Sequence, residues 1–398
     1  MQSFMSIPDL IILLSILDFN KMEEEPRFIK YHLIILFMIV LLLPLFNTVT
    51  GTWTFERADE NRRFRDSLDF DIQNLDPFPR ECEAYVNDNF SFRTPALDVF
   101  HLIKYHIFKI SPNPKKTLIG RDGWCFLAGD EMDQYEGKQN FTEEELKLFL
   151  GEWQRRKNYL DARDIKCYWL IAPTKHSIYS EYLPFSIPKP KVEKRVDQLK
   201  NYFQDSLPNL IIDPTPELIA AKNEYKVYYQ LDNHWTSRGA LVAVELLCSR
   251  IVADFPEAEV GAFPPFSWKD QELAFAFHHN VLGIKGLSEI ESFPSVVNPQ
   301  SKEAVLYNFP EIEWFPIKDQ FEKRYVNPHL QSGLRVLFIR DSYGTRTIPL
   351  VKELFSESIF VFDAWMYRLN EEIIKEVKPD IVVFLSVESK LQRILEHK

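Results

Sequence analysis

The chain has 398 residues, of which 45% are hydrophobic and only 12 are glycine. This length and composition indicate one large or two ordinary globular domains and exclude an intrinsically disordered chain. The formal net charge is −11, with acidic and basic residues interleaved. The protein therefore lacks the electrostatic signature of nucleic-acid binding, and no nucleic-acid partner is expected.

The first predicted element is the apolar run at 31–51, "YHLIILFMIVLLLPLFNTVTG". About 18 of its residues form an uncharged stretch, which fits the ~30 Å hydrocarbon core of a bilayer. Three basic residues precede the run: Lys21, Arg27 and Lys30. The positive-inside rule then places residues 1–30 in the cytoplasm and the rest of the chain outside. We expect an uncleaved transmembrane anchor at 31–50, with a cleaved signal peptide as the alternative.

A second apolar stretch at 4–19 is interrupted by Pro8 and Asp9 and is too short to span a membrane comfortably. Met22 begins "MEEEPRFIK", which resembles a conventional translation start just before the anchor. A true start at Met22 is therefore an open hypothesis, which amino-terminal mass spectrometry of the native protein tests. Residues 51–114 are charged, aromatic and irregular, and we interpret them as a membrane-proximal segment.

The four cysteines are far apart and include no CxxC pair. They are Cys82, Cys125, Cys167 and Cys248. This spacing predicts buried free thiols rather than a structural zinc site or a disulfide framework. No histidine pair at HxH or HxxxH spacing joins an acidic residue, so neither a metal nor another cofactor is expected.

From residue 115 onward, apolar strand patterns alternate with helical patterns. Strands are predicted within 118–130 and at 166–172, 210–213, 227–230, 334–339, 358–364 and 380–387; helices are predicted at 140–160, 191–205, 236–255, 347–356, 371–378 and 388–398. Thr142 and Glu145 form a capping-box pattern at the start of the first of these helices. The alternation predicts an α/β domain with a mostly parallel sheet flanked by helices. Residues 256–332 are irregular and rich in Pro and Phe, which indicates an insertion or a lid-like excursion.

Reactive side chains follow three of the predicted strands. Lys175 and His176 follow 166–172, Asp232 and His234 follow 227–230, and Ser342 follows 334–339. Functional groups collect at the carboxyl ends of strands in open α/β sheets. A serine becomes a nucleophile when a histidine accepts its proton and a carboxylate orients that histidine. The sequence thus offers a candidate Ser-His-Asp set.

Each of these residues also has an ordinary structural interpretation. A serine after a strand is commonly a helix N-cap, and Asp232 can cap the helix at 236–255 with His234 and Trp235 packing beneath it. Lys175 and His176 can be plain loop residues. Spacing alone leaves these alternatives open.

Five segments, taken in order, resemble the alginate O-acetyltransferase family, the AlgX/AlgJ-like or DHHW proteins of the SGNH hydrolase superfamily. They are "GRDGWCFLAGD", "LIAPTKHSIYSEYLP", "YYQLDNHWTSRGA", "VLFIRDSYGTRTIPLVKELFSESIFVFD" and "KPDIVVFLSVESKL". Together they extend over roughly 115–395. The resemblance implies an SGNH-hydrolase-like catalytic domain at 115–398, preceded by the transmembrane helix.

The resemblance also implies roles for individual residues. Ser342 corresponds to the nucleophile, His234 to the general base and Asp232 to the orienting carboxylate. The resemblance also implies substrate contacts, which are expected at Trp235, Lys175, Tyr179, Arg340 and Tyr343. Two departures from the family pattern stand out: Arg340 replaces the superfamily's glycine, and the loop at 280–289 matches only faintly. Oxyanion-hole donors other than the Ser342 backbone amide therefore stay unassigned.

The implied function is that of an O-acetyltransferase anchored in the cell (inner) membrane by a single span, with its catalytic domain in the periplasm or otherwise outside the cytoplasm. It would modify hydroxyls of an exported polysaccharide or cell-surface glycan, with a membrane-bound O-acyltransferase as the partner that supplies acetyl groups. Two alternatives stay open: a carbohydrate acetylesterase with the same triad, and a non-catalytic glycan-binding subunit of an export complex.

Overall fold

The computed structural model describes residues 26–55, 64–65, 67–68, 76–190, 193–273, 282, 284, 287–310, 315, 317–330 and 333–397. The chain divides into two compact units, Met1–Phe100 and His101–Lys398. The predictions for the apolar stretch at 4–19 and for a start at Met22 lie outside the described residues.

Three helices are described in the unit Met1–Phe100 and at its end: α1 (Pro26–Thr50), α2 (Phe78–Asn89) and α3 (Arg93–Leu102). Helix α1 ends where Gly51 adopts a φ of 62° and its N–H donates to the Asn47 carbonyl at 2.8 Å. Helices α2 and α3 correct the prediction that residues 51–114 are irregular. A proline in the first turn of α2, followed by Glu81, suits a helix amino terminus.

The predicted anchor at 31–50 falls within α1. Among the residues that the structure describes, no helix combines the length and the apolar character needed to cross a membrane. The predicted transmembrane span is therefore not supported by the structure.

A seven-stranded sheet forms the core of the unit His101–Lys398, in the order β4-β3-β11-β9-β10-β8-β7. Its strands are β3 (Lys166–Ala172), β4 (Ile211–Ile212), β7 (Lys302–Glu303), β8 (Glu322–Val326), β9 (Arg335–Arg340), β10 (Glu357–Phe362) and β11 (Ile381–Val387). Strands β4, β3, β11, β9 and β10 pair in parallel, whereas β8 and β7 add antiparallel pairings beside β10. The sheet is therefore mixed. Its two antiparallel strands, β7 and β8, both belong to the segment 256–332 that was predicted as an insertion.

Helices cover both faces of this sheet, which explains the continuous apolar runs of its central strands. They are α4 (Asp130–Tyr135), α5 (Glu143–Asp161), α6 (Lys175–Ile178), α7 (Arg195–Phe203), α8 (Thr215–Ala221), α9 (Ser237–Asp254), α10 (Ile348–Val351), α11 (Glu371–Val377) and α12 (Arg393–Glu396). Alternate residues of β9 enter opposite cores: Phe338 packs in one and Leu337 in the other. The capping box of α5 is confirmed, since the Glu145 N–H donates to Thr142 Oγ1 at 3.2 Å and the Thr142 N–H to Glu145 Oε2 at 2.8 Å.

Two short antiparallel hairpins complete the unit: β1 (Thr117–Ile119) with β2 (Cys125–Leu127), and β5 (Phe266–Leu273) with β6 (Glu289–Val296). The first confirms the predicted turn and strand within 118–130. The second gives regular structure to part of the segment interpreted as irregular.

Three element predictions are wrong in detail. Residues 227–230 form no strand but one bridge, Tyr228 to Trp235, because the chain turns back on itself there. The helices predicted at 347–356 and 388–398 shrink to α10 and α12, each preceded by a 3₁₀ turn. The free-thiol prediction is confirmed: three of the four cysteines are buried and Cys82 is half-buried.

Candidate active site

Ser342 begins a 3₁₀ turn directly after β9, the strand between β11 and β10 in the sheet. Its neighbour Asp341 caps that turn, accepting the Tyr343 N–H at 2.8 Å through Oδ1. The interpretation of Ser342 as an N-cap is therefore wrong. Its half-buried hydroxyl is left available for another role.

Asp232 and His234 lie in the loop before α9 and point toward Ser342. The Ser342 Oγ lies 2.8 Å from His234 Nε2, and His234 Nδ1 lies 2.6 Å from Asp232 Oδ1. The same Asp232 oxygen accepts the His234 backbone N–H at 2.9 Å. Since a carboxylate only accepts, Nδ1 carries the proton and Nε2 is free to accept the Ser342 hydroxyl proton.

Asp232 is not the cap of α9. Thr236 is the N-cap, and its hydroxyl accepts the Gly239 N–H at 3.1 Å. A side chain at Gly239 would collide with the Val227 carbonyl, so glycine allows α9 to approach the base of the loop. The interpretation of Asp232 as an N-cap is therefore wrong, and its carboxylate is committed to His234.

Burial and the carboxylate of Asp232 act in opposite directions on the pKa of His234. Burial lowers the pKa of His234, but the hydrogen bond and charge of Asp232 outweigh it, so the pKa is raised above its ordinary value of 6.5. The imidazolium that would form after proton transfer is therefore stabilised at this position.

Lys175 binds the backbone of the loop that carries Asp232 and His234. Its fully buried ammonium donates to the carbonyls of Asp232 at 2.6 Å, Tyr229 at 3.1 Å and Gln230 at 3.3 Å. Burial lowers the pKa of Lys175 to about 8. Three bonds from one cation fix the backbone on both sides of the loop's turn, and with it the direction of the Asp232 side chain.

The hairpin β5–β6 holds the same loop from the other side. Glu289 accepts the backbone N–H of Gln230 at 3.0 Å through one oxygen and that of Leu231 at 2.7 Å through the other. Two residues along β6, Glu291 accepts the N–H of Ser237 at 2.8 Å and its hydroxyl at 2.7 Å. Burial raises the pKa of Glu291 to about 7. Part of the predicted insertion therefore braces the Asp232 loop and the start of α9.

Further bonds tie the histidine loop to the serine turn. Trp235 Nε1 donates to the Tyr343 carbonyl at 2.9 Å, and the Tyr343 hydroxyl donates to the Asn233 carbonyl at 2.8 Å. These two contacts fix the separation of the two halves of the site. Asp341 Oδ2 also accepts the Tyr367 hydroxyl and the Val387 N–H, each at 2.7 Å, which anchors the serine turn to the loop after β10 and to the end of β11.

Arg340 braces its own turn. Its side chain is buried and donates to the Asp341 carbonyl, to Thr345 Oγ1 and to the Gln320 carbonyl, each at 3.0 Å. Gly344 packs so closely on it that a β-carbon there would overlap the Arg340 side chain. Gly344, which has no side chain, therefore leaves room for the arginine that stands at position 340 in place of the superfamily's glycine.

The structure brings together the three residues predicted as a triad. The five predicted substrate contacts, Trp235, Lys175, Tyr179, Arg340 and Tyr343, are all buried. The Tyr179 hydroxyl accepts the Val227 N–H at 3.1 Å, so it too supports the loop. Their contact with substrate stays a prediction, and their burial favours a positioning role. His176 is buried as well; burial lowers its pKa to about 3, which keeps it neutral.

Glu289, Glu291 and Tyr367 are supporting residues that the sequence did not reveal. The alternation of acidic, apolar and acidic residues at 289–291 predicts a strand with one polar face. It does not predict that this face contacts the loop of Asp232. Tyr367 carries no recognisable signal.

Comparison with known proteins confirms the resemblance found in the sequence. Residues 117–269, which include Asp232 and His234, match the model of the "SGNH hydrolase-like domain, acetyltransferase AlgX". Two curated relatives are both named "Probable alginate O-acetylase AlgJ". The one from Pseudomonas putida is 24% identical over 176 residues, 43% of this chain and 43% of the relative. The one from Pseudomonas syringae pv. tomato is 22% identical over 232 residues, 58% of this chain and 54% of the relative.

The chain thus spans about half the length of the curated relatives it matches. Among solved structures, Bacillus cereus PatB1 is 16% identical, with a TM-score of 0.47 over 69% of this chain and 96% of that one. The unit His101–Lys398 has an α/β fold, and its residues 117–269 are similar to an SGNH hydrolase-like domain.

Proposed function

We propose that this protein transfers acetyl groups, through a covalent acetyl-Ser342 intermediate, to hydroxyls of an exported polysaccharide or cell-surface glycan. The observation that carries the proposal is the continuous hydrogen-bond chain Ser342–His234–Asp232, with separations of 2.8 and 2.6 Å. The first separation is short enough for proton transfer from serine to histidine, and the second is a hydrogen bond that orients the histidine.

In the first half-reaction, Ser342 Oγ attacks the carbonyl carbon of the acetyl donor while its proton moves to His234 Nε2. The bond from that carbon to the donor's leaving oxygen breaks, and His234 returns the proton to the leaving oxygen. Asp232 stays ionised and stabilises the imidazolium formed in between. The products are acetyl-Ser342 and the deacetylated donor.

In the second half-reaction, a glycan hydroxyl gives its proton to His234 Nε2 and attacks the acetyl carbon. The bond to Ser342 Oγ breaks and the serine recovers its proton from His234. Transfer prevails over hydrolysis only when the acceptor hydroxyl excludes water from the acetyl-enzyme.

A carbohydrate acetylesterase would use the same three residues with water as the acceptor. Product analysis with p-nitrophenyl acetate and glycan acceptors separates the two activities. Acetylated glycan is the result expected of a transferase, and free acetate alone would identify an esterase. If Ser342→Ala kept full acetylation in cells, the protein would instead be a non-catalytic glycan-binding subunit.

The donor and the location are further parts of the proposal, supported by the sequence alone. A membrane-bound O-acyltransferase would supply the acetyl group, and the domain would work outside the cytoplasm. Co-purification with such a partner tests the first part, and protease accessibility in intact cells and spheroplasts tests the second.

A further inference from the structure

An apolar ridge lies on the surface of the unit His101–Lys398. It consists of Ile103, Ile107, Phe108 and Ile110, which are 40%, 69%, 63% and 50% exposed. Single exposed apolar residues are ordinary, but four of them within eight residues form a patch, and such patches mark contacts with a protein or a membrane. An occupant of the ridge would remove this apolar surface from water.

The backbone of the ridge has a rare conformation. Ile103–Ile107 form a π-helical turn, and the Phe108 N–H donates to the first carbonyl of that turn at 3.2 Å. Lys109 then adopts a left-handed φ of 54°, and the Ile110 N–H donates to the Lys104 carbonyl at 3.1 Å. π-Helical turns are uncommon and are frequent at functional sites. These hydrogen bonds end the turn while the side chains at 106–110 stay exposed.

The other side of the same turn packs into the unit. Leu102 and Tyr105 contact a buried cluster that includes Ile119 and Leu231. Leu231 directly precedes Asp232 in the chain. Since a helical turn with its side chains is about 10 Å across, the ridge lies roughly that far from the loop of the candidate site. A surface that binds the ridge is therefore held close to this loop.

The charge around the ridge is opposite to that of the whole chain. Residues 101–116 contain four lysines and no aspartate or glutamate, in a chain with a net charge of −11. The exposed side chains of Lys109, Lys115 and Lys116 form no ion pair with any residue that the structure describes. Apolar side chains beside exposed lysines suit an anionic bilayer, where the apolar groups enter the headgroup region and the lysines meet the phosphates. An apolar protein groove would give these lysines no counter-charge.

We propose that the ridge and its lysines dock the unit His101–Lys398 on an anionic phospholipid surface, with Ile107, Phe108 and Ile110 in the headgroup region. The inference goes beyond the proposed function, because it does not depend on the reaction that Ser342 carries out. Docking would hold the loop of Asp232 close to the bilayer, where a membrane-bound acetyl donor would be met.

Site-directed fluorescence with the full chain tests the docking without depending on activity. The dye nitrobenzoxadiazole is attached at His106→Cys, beside the ridge, in a Cys82→Ser background whose other thiols are buried. The protein is titrated with vesicles of phosphatidylcholine, with or without phosphatidylglycerol. We expect a blue shift and quenching by doxyl-labelled lipid in the anionic vesicles, both reduced by high salt. Because the dye reports only its own surroundings, vesicle binding by other segments does not register.

Replacing the three exposed lysines with glutamine tests the charge. Lys109→Gln, Lys115→Gln and Lys116→Gln together should weaken docking about 100-fold, since each lysine near an anionic surface contributes about a factor of five. The matched control carries the same change at three exposed lysines outside this segment: Lys147, Lys269 and Lys302. It alters the net charge equally and should dock as the wild type does.

A second pair of variants tests the apolar contact. Ile107→Ala with Phe108→Ala should weaken docking about tenfold or more, because two large side chains no longer leave water. The matched control is Val305→Ala with Leu306→Ala, a neighbouring pair that is 82% and 38% exposed. Circular dichroism establishes that each variant is folded.

Three results would overturn the proposal. One is a dye signal that vesicles do not change, and another is an equal signal with and without phosphatidylglycerol. The third is wild-type docking in the folded lysine or ridge variants. A blue shift that grows with protein concentration without lipid would identify a second copy of the chain as the occupant, which would also refute docking on lipid.

Discussion

Replacing Glu289 with glutamine should lower activity although this side chain lies outside the Ser342–His234–Asp232 chain. Each carboxylate oxygen of Glu289 accepts one backbone N–H of the loop that leads into Asp232, at 3.0 Å from Gln230 and 2.7 Å from Leu231. Glutamine replaces one acceptor oxygen with an NH₂ group, so one of these N–H groups would face another donor. A hydrogen bond to a charged partner contributes about 1.5–3 kcal/mol.

Losing this hydrogen bond should destabilise the loop conformation in which Asp232 and His234 are placed for proton transfer. The kcat for p-nitrophenyl acetate should then fall about 10- to 100-fold, since ~1.4 kcal/mol corresponds to a factor of ten. KM should change little, because Glu289 is buried behind the loop. The matched control is Glu272→Gln on β5, whose exposed carboxylate accepts a hydrogen bond from Ser288. A Glu289→Gln enzyme with kcat within twofold of the wild type would refute the positioning role of the hairpin.

Three further predictions concern the site itself. Because His234 must be neutral to accept a proton and its pKa is raised, kcat/KM should fall with decreasing pH about a midpoint above 6.5; a profile that stays flat from pH 5 to 8 would contradict this. Asp232→Asn should lower kcat by about 10²- to 10⁴-fold through the wrong histidine tautomer, with folding unchanged by circular dichroism; a loss below tenfold would remove Asp232 from its role. Gly344→Ala should destabilise the protein by about 1–3 kcal/mol, because its methyl group would overlap the Arg340 side chain, and an unchanged Tm would show that this turn can yield.

Local patterns were sufficient for the elements that depend on local physics. The capping box of Thr142 and Glu145 and the apolar runs of β3 and β9 appear where the sequence places them. Periodicity failed at 227–230, where apolar residues are buried by a folded-back loop rather than by strand pairing. An apolar run predicts that its residues are buried, but it does not predict whether a strand or a loop places them in the core.

For the candidate site, the sequence identified the three residues but could not decide between catalysis and capping. The structure separates these roles, because Thr236 and Asp341 do the capping and leave Asp232 and Ser342 to meet at His234. The supporting contacts from Glu289 and Tyr367 were out of reach of local patterns, since they join segments far apart in the chain. The resemblance assigned Lys175, Trp235 and Tyr343 to substrate contact, but their burial could not be predicted from it.

The proposed mechanism passes through a covalent acetyl-enzyme, and trapping this intermediate is its most direct test. The full chain is incubated briefly with p-nitrophenyl acetate without an acceptor, quenched in acid and digested for peptide mass spectrometry. We expect one acetyl group on Ser342, reduced when a glycan acceptor is added and absent from Ser342→Ala and His234→Ala. Acetate release or transfer with Ser342 unmodified at every time point, or an undiminished rate in Ser342→Ala, would contradict nucleophilic catalysis by Ser342.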